Sequence, residues 1–105
     1  MKVAITSTGN NLQATVDPRF GRCAYFVIYD TETKAIEFIP NPNLEATEGA
    51  GPASVQLVAS RDITKVVSGE FGMKIKPIFD SLKIQMIVVK EEKTIEEIIQ
   101  MINQK

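Results

Sequence analysis

The sequence predicts an α/β fold with the element order βββαβαβα. Short apolar or β-branched runs in the first forty or so residues follow one another with no helical pattern between them. Later runs of the same kind alternate with segments whose apolar residues recur at helical spacing. Only the polar stretch Asp30-Thr31-Glu32-Thr33-Lys34 joins the second and third strands, so these two form a hairpin. The sheet is therefore mixed and covered by helices. Right-handed crossovers return the later strands beside the first, and the hairpin lies on the opposite side. At 105 residues, with no repeat, linker or low-complexity tract, the chain reads as a single domain over 1–105.

Each element has its own signal. Val3-Ala4-Ile5-Thr6 is almost wholly apolar and ends at Ser7-Thr8-Gly9-Asn10-Asn11, which suits a central strand buried on both faces. Leu12 to Arg22 is a long connection anchored by Pro18 and by Phe20 entering the core. Ala24 to Tyr29 is the strongest strand, rich in aromatic and β-branched residues, and Ala35 to Ile39 is its partner. Pro40-Asn41-Pro42-Asn43 stops that strand, because proline cannot donate to a ladder. A polar loop leads to Gly49-Ala50-Gly51, and a helix starts at Pro52, where the missing N–H costs nothing. Val55, Val58 and Ala59 form its buried stripe, with Leu57 flanking, and Arg61-Asp62 closes it.

Thr64 to Ser68 is a strand ending at Gly69. A helical pattern then runs from Met73 to about Leu82, with Ile75, Ile78, Phe79 and Leu82 on one face. Pro77 inside it either kinks the helix or marks the first turn of one that starts later; the late start is preferred. Ile84 to Val89 is a further strand. Thr94-Ile95-Glu96-Glu97 is a capping box, followed by a helix burying Ile95, Ile98, Ile99 and Ile102, with Lys105 near its negative end.

Composition excludes several functions. With 12 Lys+Arg against 13 Asp+Glu the net charge is −1, so no global field draws the chain to nucleic acid. No apolar run approaches the roughly 20 residues that span a bilayer, and Met1 to Gly9 lacks the features of a signal peptide. A single cysteine excludes an internal disulfide framework and fits a reducing cytosol, so a cytoplasmic protein is expected. Histidine is absent, which removes the commonest general base and zinc ligand. The strands carry almost no carboxylates (only Glu37), which argues against two-metal hydrolysis. No phosphate-binding lysine loop or dinucleotide fingerprint is present. A non-catalytic protein is expected.

In an open sheet of this kind ligands gather at the carboxyl ends of the parallel strands. Three segments converge there: Ser7 to Arg22, the glycine patch Gly49-Ala50-Gly51-Pro52-Ala53, and Ser68-Gly69-Glu70-Phe71-Gly72. Arg19 and Arg22 offer charge-assisted hydrogen bonds, while Gly49, Ala50, Gly51, Gly69 and Gly72 leave backbone N–H groups unscreened. An anion at the helix start gains ~0.3–1 kcal/mol from the dipole. On the alternative reading the glycines serve tight turns and the arginines pair with Asp17 or a surface glutamate. Asp17, Glu45, Glu48 and Glu70 are the carboxylates within reach of this edge. Cys23 reads either as a small buried hydrophobe or as a soft-metal ligand whose thiolate Arg22 favours. One thiolate cannot fill a coordination shell, so a cluster there needs exogenous ligands, a second chain (a homodimer) or a partly open site.

Asp17-Pro18-Arg19-Phe20-Gly21-Arg22 followed by Tyr25-Phe26, then Gly49-Ala50-Gly51, then Gly69 with Gly72, resembles the dinitrogenase iron-molybdenum cofactor biosynthesis family from Val3 to Ile102. The resemblance implies a ribonuclease H-like fold of three layers around a mixed five-stranded sheet. It also implies no catalysis, transient binding of an iron-sulfur or iron-molybdenum cluster or precursor, and a client protein to receive it. The competing expectation is a regulatory or scaffold module whose glycine edge binds a small anion or a partner protein without metal.

Overall fold

The computed structural model describes residues 1–44 and 49–103. Its elements are β1 (Lys2–Ser7), β2 (Tyr25–Asp30), β3 (Ile36–Pro40), α1 (Ala50–Ala59), β4 (Ile63–Ser68), α2 (Lys76–Ser81), β5 (Gln85–Val88) and α3 (Ile95–Asn103). The order is the one expected. The strands form a 5-stranded mixed sheet in the order β3-β2-β1-β4-β5. β1 pairs antiparallel with β2 and parallel with β4, so the hairpin occupies one side and the crossover strands the other. Val3 to Ser7 of β1 are all buried, as its uninterrupted apolar run requires of a central strand.

The period-2 alternation of the strands divides the core. Ala4, Phe26, Ile28 and Val66 face Val55 and Val58 of α1 and Phe79 of α2. Val3, Ile5, Val27, Tyr29 and Val67 face Ile95, Ile98 and Ile99 of α3. Helices thus lie on both faces, giving three layers. Each Val, Ile and Phe side chain among these contributes about 1.5–3 kcal/mol when fully buried.

Two boundaries differ from expectation, the start of α1 and the end of α2. α1 starts at Ala50 instead of Pro52, because Gly49 at the N-cap adopts φ 75, a conformation glycine takes without strain. Pro52 still lies in the first turn, where no intrahelical acceptor is lost. α2 starts late, with Pro77 in its first turn, but it is short. Leu82, expected on its buried face, is instead its C-cap and 48% exposed. The capping box of α3 forms: Thr94 N donates to Glu97 Oε1 at 2.9 Å, and Glu97 N donates to Thr94 Oγ1 at 3.1 Å. Lys105, Glu45 and Glu48 lie outside the described residues. Among the described residues no helix is long and apolar enough to cross a membrane.

Candidate functional site

The loop from Asp17 to Arg22 is held to the sheet by its own backbone. Asp17 N donates to Thr6 O at 3.0 Å, Thr6 Oγ1 donates to Asp17 O at 2.7 Å, and Gly69 N donates to the same oxygen at 3.2 Å. Asp17 therefore ties together the carboxyl ends of β1 and β4. Its buried carboxylate accepts Arg19 N at 2.9 Å, a local turn that sets the direction of the arginine, and lies 3.5 Å from Arg19 Nε. Phe20 then turns inward, with ring centroids 5.6 Å from Phe26, 5.9 Å from Phe71 and 5.3 Å from Phe79. This is the anchoring expected of it. Asn41, buried just past β3, closes the loop from the other end. Its Nδ2 donates to Gly21 O at 3.2 Å and to Cys23 O at 2.9 Å.

Two glycines let the three segments meet. A Cβ on Gly21 would come within 3.1 Å of both Cα and N of Gly51, and a Cβ on Gly51 would come 2.9 Å from Ile75 Cγ2. The backbones consequently touch across the floor of an open cleft of about 620 Å³. Arg19, Arg22, Gly49, Ala50, Gly51 and Gly72 all line it, at the carboxyl edge of the parallel strands. Lys74 adds a third cation, and Glu70 is the one acidic residue among the described lining. The Arg19 side chain is 60% exposed, and Arg22 Nη1 donates to Leu44 O at 3.1 Å. Gly49 brings no side-chain cap to α1, whose first-turn N–H groups have no intrahelical acceptor and carry the positive end of the helix dipole.

Two of the expected site residues lie elsewhere. Gly69 does not line the cleft: a Cβ there would sit 2.4 Å from Pro18 Cα, so its role is to let the loop pack on β4. Cys23 is fully buried, and its Sγ donates to Phe20 O at 3.4 Å. Burial, and next the nearby Asp17 carboxylate, push this thiol up to about 12, overriding the weaker pull of Arg19. Cys23 packs as the small buried hydrophobe of its first reading, with Arg19 among the groups that pull on its thiol. Cys23 is a neutral core residue. Gly21, Asn41, Met73 and Lys74 were not picked out from the sequence as site residues. Gly21 had a signal, lying between the core anchor Phe20 and Arg22, whereas Met73-Lys74 read as helix.

A cluster of the implied kind can be tested against this donor set. Among the described residues no group of three or more His, Cys, Asp or Glu could hold a metal ion. A bare cation therefore finds no cage here. An anion that brings its own sulfide ligands fits three cationic side chains, a helix N-terminus and a floor cleared of Cβ atoms.

Fold and site together define a small α/β protein with a cationic cleft at the carboxyl edge of its parallel strands. The chain belongs to the dinitrogenase iron-molybdenum cofactor family, whose model matches residues 1–105. It is similar to the orange protein of Desulfovibrio gigas, solved in its apo form, at 30% identity and a TM-score of 0.89, covering 96% of this chain and 85% of that one. A NifB-like protein from Thermotoga matches at 30% identity and a TM-score of 0.84, covering 98% of this chain and 87% of its own. An uncharacterized protein of Methanocaldococcus jannaschii is 31% identical over 89 residues, which is 82% of this chain and 72% of that protein.

Proposed function

We propose that the cleft carries an anionic metal–sulfur cluster of the iron-sulfur or iron-molybdenum class, or a precursor of one, and that the protein delivers it to a client without catalysing a reaction. One observation carries this reading: Arg19, Arg22 and the N-terminus of α1 line a single cleft, while the chain's only thiol is buried and neutral. Cargo of this kind is held by charge and by hydrogen bonds to its own sulfides, not by a protein thiolate. Such contacts release more readily than metal–thiolate bonds, which suits transient carriage. Membership of the iron-molybdenum cofactor family supports the class of cargo. So does a relative named for its colour and solved without ligand, since a polypeptide alone does not absorb visible light. A reducing cytoplasm is the setting in which a free Cys23 persists.

The second reading, a module that binds a small anion without metal, is favoured by the absence of a metal-ligand cluster among the described residues. Anaerobic reconstitution separates the two. The protein is offered iron with sulfide, and separately tetrathiomolybdate, then desalted and assayed for metal and visible absorption. Carriage predicts uptake that falls about tenfold or more in Arg19→Glu, is weakened by salt, and is unchanged in Cys23→Ala. Uptake of neither probe, with Arg19-dependent binding of inorganic phosphate, selects the metal-free module. Loss of uptake in a folded Cys23→Ala variant would show a thiolate ligand and end the cleft reading.

A further inference from the structure

Glu70 is the odd member of the cleft. Arg19, Arg22, Lys74 and the start of α1 favour an anion, and Glu70 alone among the described lining opposes one. The chain on either side pins it there. Gly69 N donates to Asp17 O at 3.2 Å, Ser68 Oγ donates to Glu70 O at 3.1 Å, and the Phe71 ring lies 5.9 Å from Phe20 and 6.0 Å from Phe79. With an anchored residue on each side, the exposed Glu70 stays at the rim. Among the described residues no ion pair engages its carboxylate, although Arg19 and Lys74 line the same cleft. Its charge is not cancelled by direct contact and acts on whatever occupies the space. Glu91 and Glu92 line a neighbouring hollow that shares Glu70, but not the cleft itself.

We propose that Glu70 is the specificity-determining residue of the cleft: its carboxylate loosens the hold on a guest in proportion to the guest's negative charge, and so sets how long a polyanionic cargo stays. This rests on the reading of the cleft as a cargo site and adds to it the residue that limits retention. Coulomb energy scales with the product of the two charges. At about 6 Å with water-like screening, one carboxylate weakens binding of a singly charged anion about threefold and of a doubly charged one about tenfold, the second factor being the square of the first. A role in packing or shape would instead change both guests by one common factor. A carrier must also let go. A like charge in the cleft shortens residence while keeping the cationic groups that draw the cargo in.

Tetrathiorhenate, tetrathiomolybdate and tetrathiotungstate provide the test, because all three are tetrahedral anions faced by sulfide and only the first is singly charged. Equilibrium dialysis of the full chain, anaerobic and at low salt, with metal analysis, gives each dissociation constant. Glu70→Gln is expected to tighten the rhenium anion about threefold and both dianions about tenfold, with gains that shrink at high salt. Glu70→Asp, which keeps the charge, should stay close to the wild type. Glu91→Gln removes the same charge outside the cleft and should change each anion less than about twofold. A gain equal for single and double charge, no gain, or an equal gain in Glu91→Gln overturns the proposal and leaves the cargo reading standing. Binding of none of the three by the wild type or by Glu70→Gln ends the proposal together with carriage of thiometalates.

Discussion

Cys23 shows how packing decides the chemistry of a single group. Its thiol donates to the Phe20 carbonyl inside the wall behind the cleft, and burial holds it protonated up to about 12. The unfolded thiol ionises near 9.0, so the folded pKa is the higher one. The stabilisation is then complete below pH 9 and is lost as pH rises from there toward 12. By pH 10 the wild type should lose about 1–2 kcal/mol that Cys23→Ala does not lose. Urea denaturation of both proteins at pH 7 and pH 10 measures the difference. Asn41 makes a similar point. In the sequence it belongs to a strand stop, yet its amide holds the carbonyls of Gly21 and Cys23, which precede β2 at the same open end of the β2–β3 hairpin.

At the scale of elements, local chemistry sets the ends. Thr94 and Glu97 exchange hydrogen bonds, and the long connection docks on the same turn: Ile95 N donates to Ala14 O at 2.8 Å and Glu96 N to Leu12 O at 3.0 Å. The bond from Thr94 N is the main cause holding the Glu97 carboxyl below its usual range. The contribution of that carboxylate is present above its unfolded pKa of about 4.5 and fades as pH falls below it. Thr94→Ala should cost about 1 kcal/mol and speed amide exchange at the start of α3, with α1 unaffected. Hydrogen exchange at neutral pH reads both effects. α2 is the contrasting case, because it has no side-chain cap and ends within two turns. That is why Leu82, placed on its buried face by spacing alone, remains exposed.

Over the whole molecule, the cleft depends on close approaches between segments far apart in sequence. Gly69 and Pro18 meet where β4 touches the loop, and a Cβ at Gly69 has no room, whereas one at Gly72 meets nothing within 4 Å. Gly69→Ala should therefore destabilise the fold by about 1–3 kcal/mol, lowering Tm by several degrees, and weaken anion uptake by displacing Arg19. Gly72→Ala should leave stability unchanged, although both glycines read alike in sequence. Thermal melts of the two variants, with uptake assayed beside them, make the comparison.

The order of elements, the hairpin, the capping box, the late start of α2 and the edge at which the arginines and glycine patch gather were all legible in the sequence. Each rests on hydrophobic period, turn chemistry or chain connectivity, which are properties of neighbouring residues. The neutrality of Cys23, the bracing by Asn41, the contact of Gly21 with Gly51 and the different tasks of Gly69 and Gly72 were decided only by tertiary structure. Burial and interatomic distance between remote segments exist only once the layers have packed, and no local pattern encodes them.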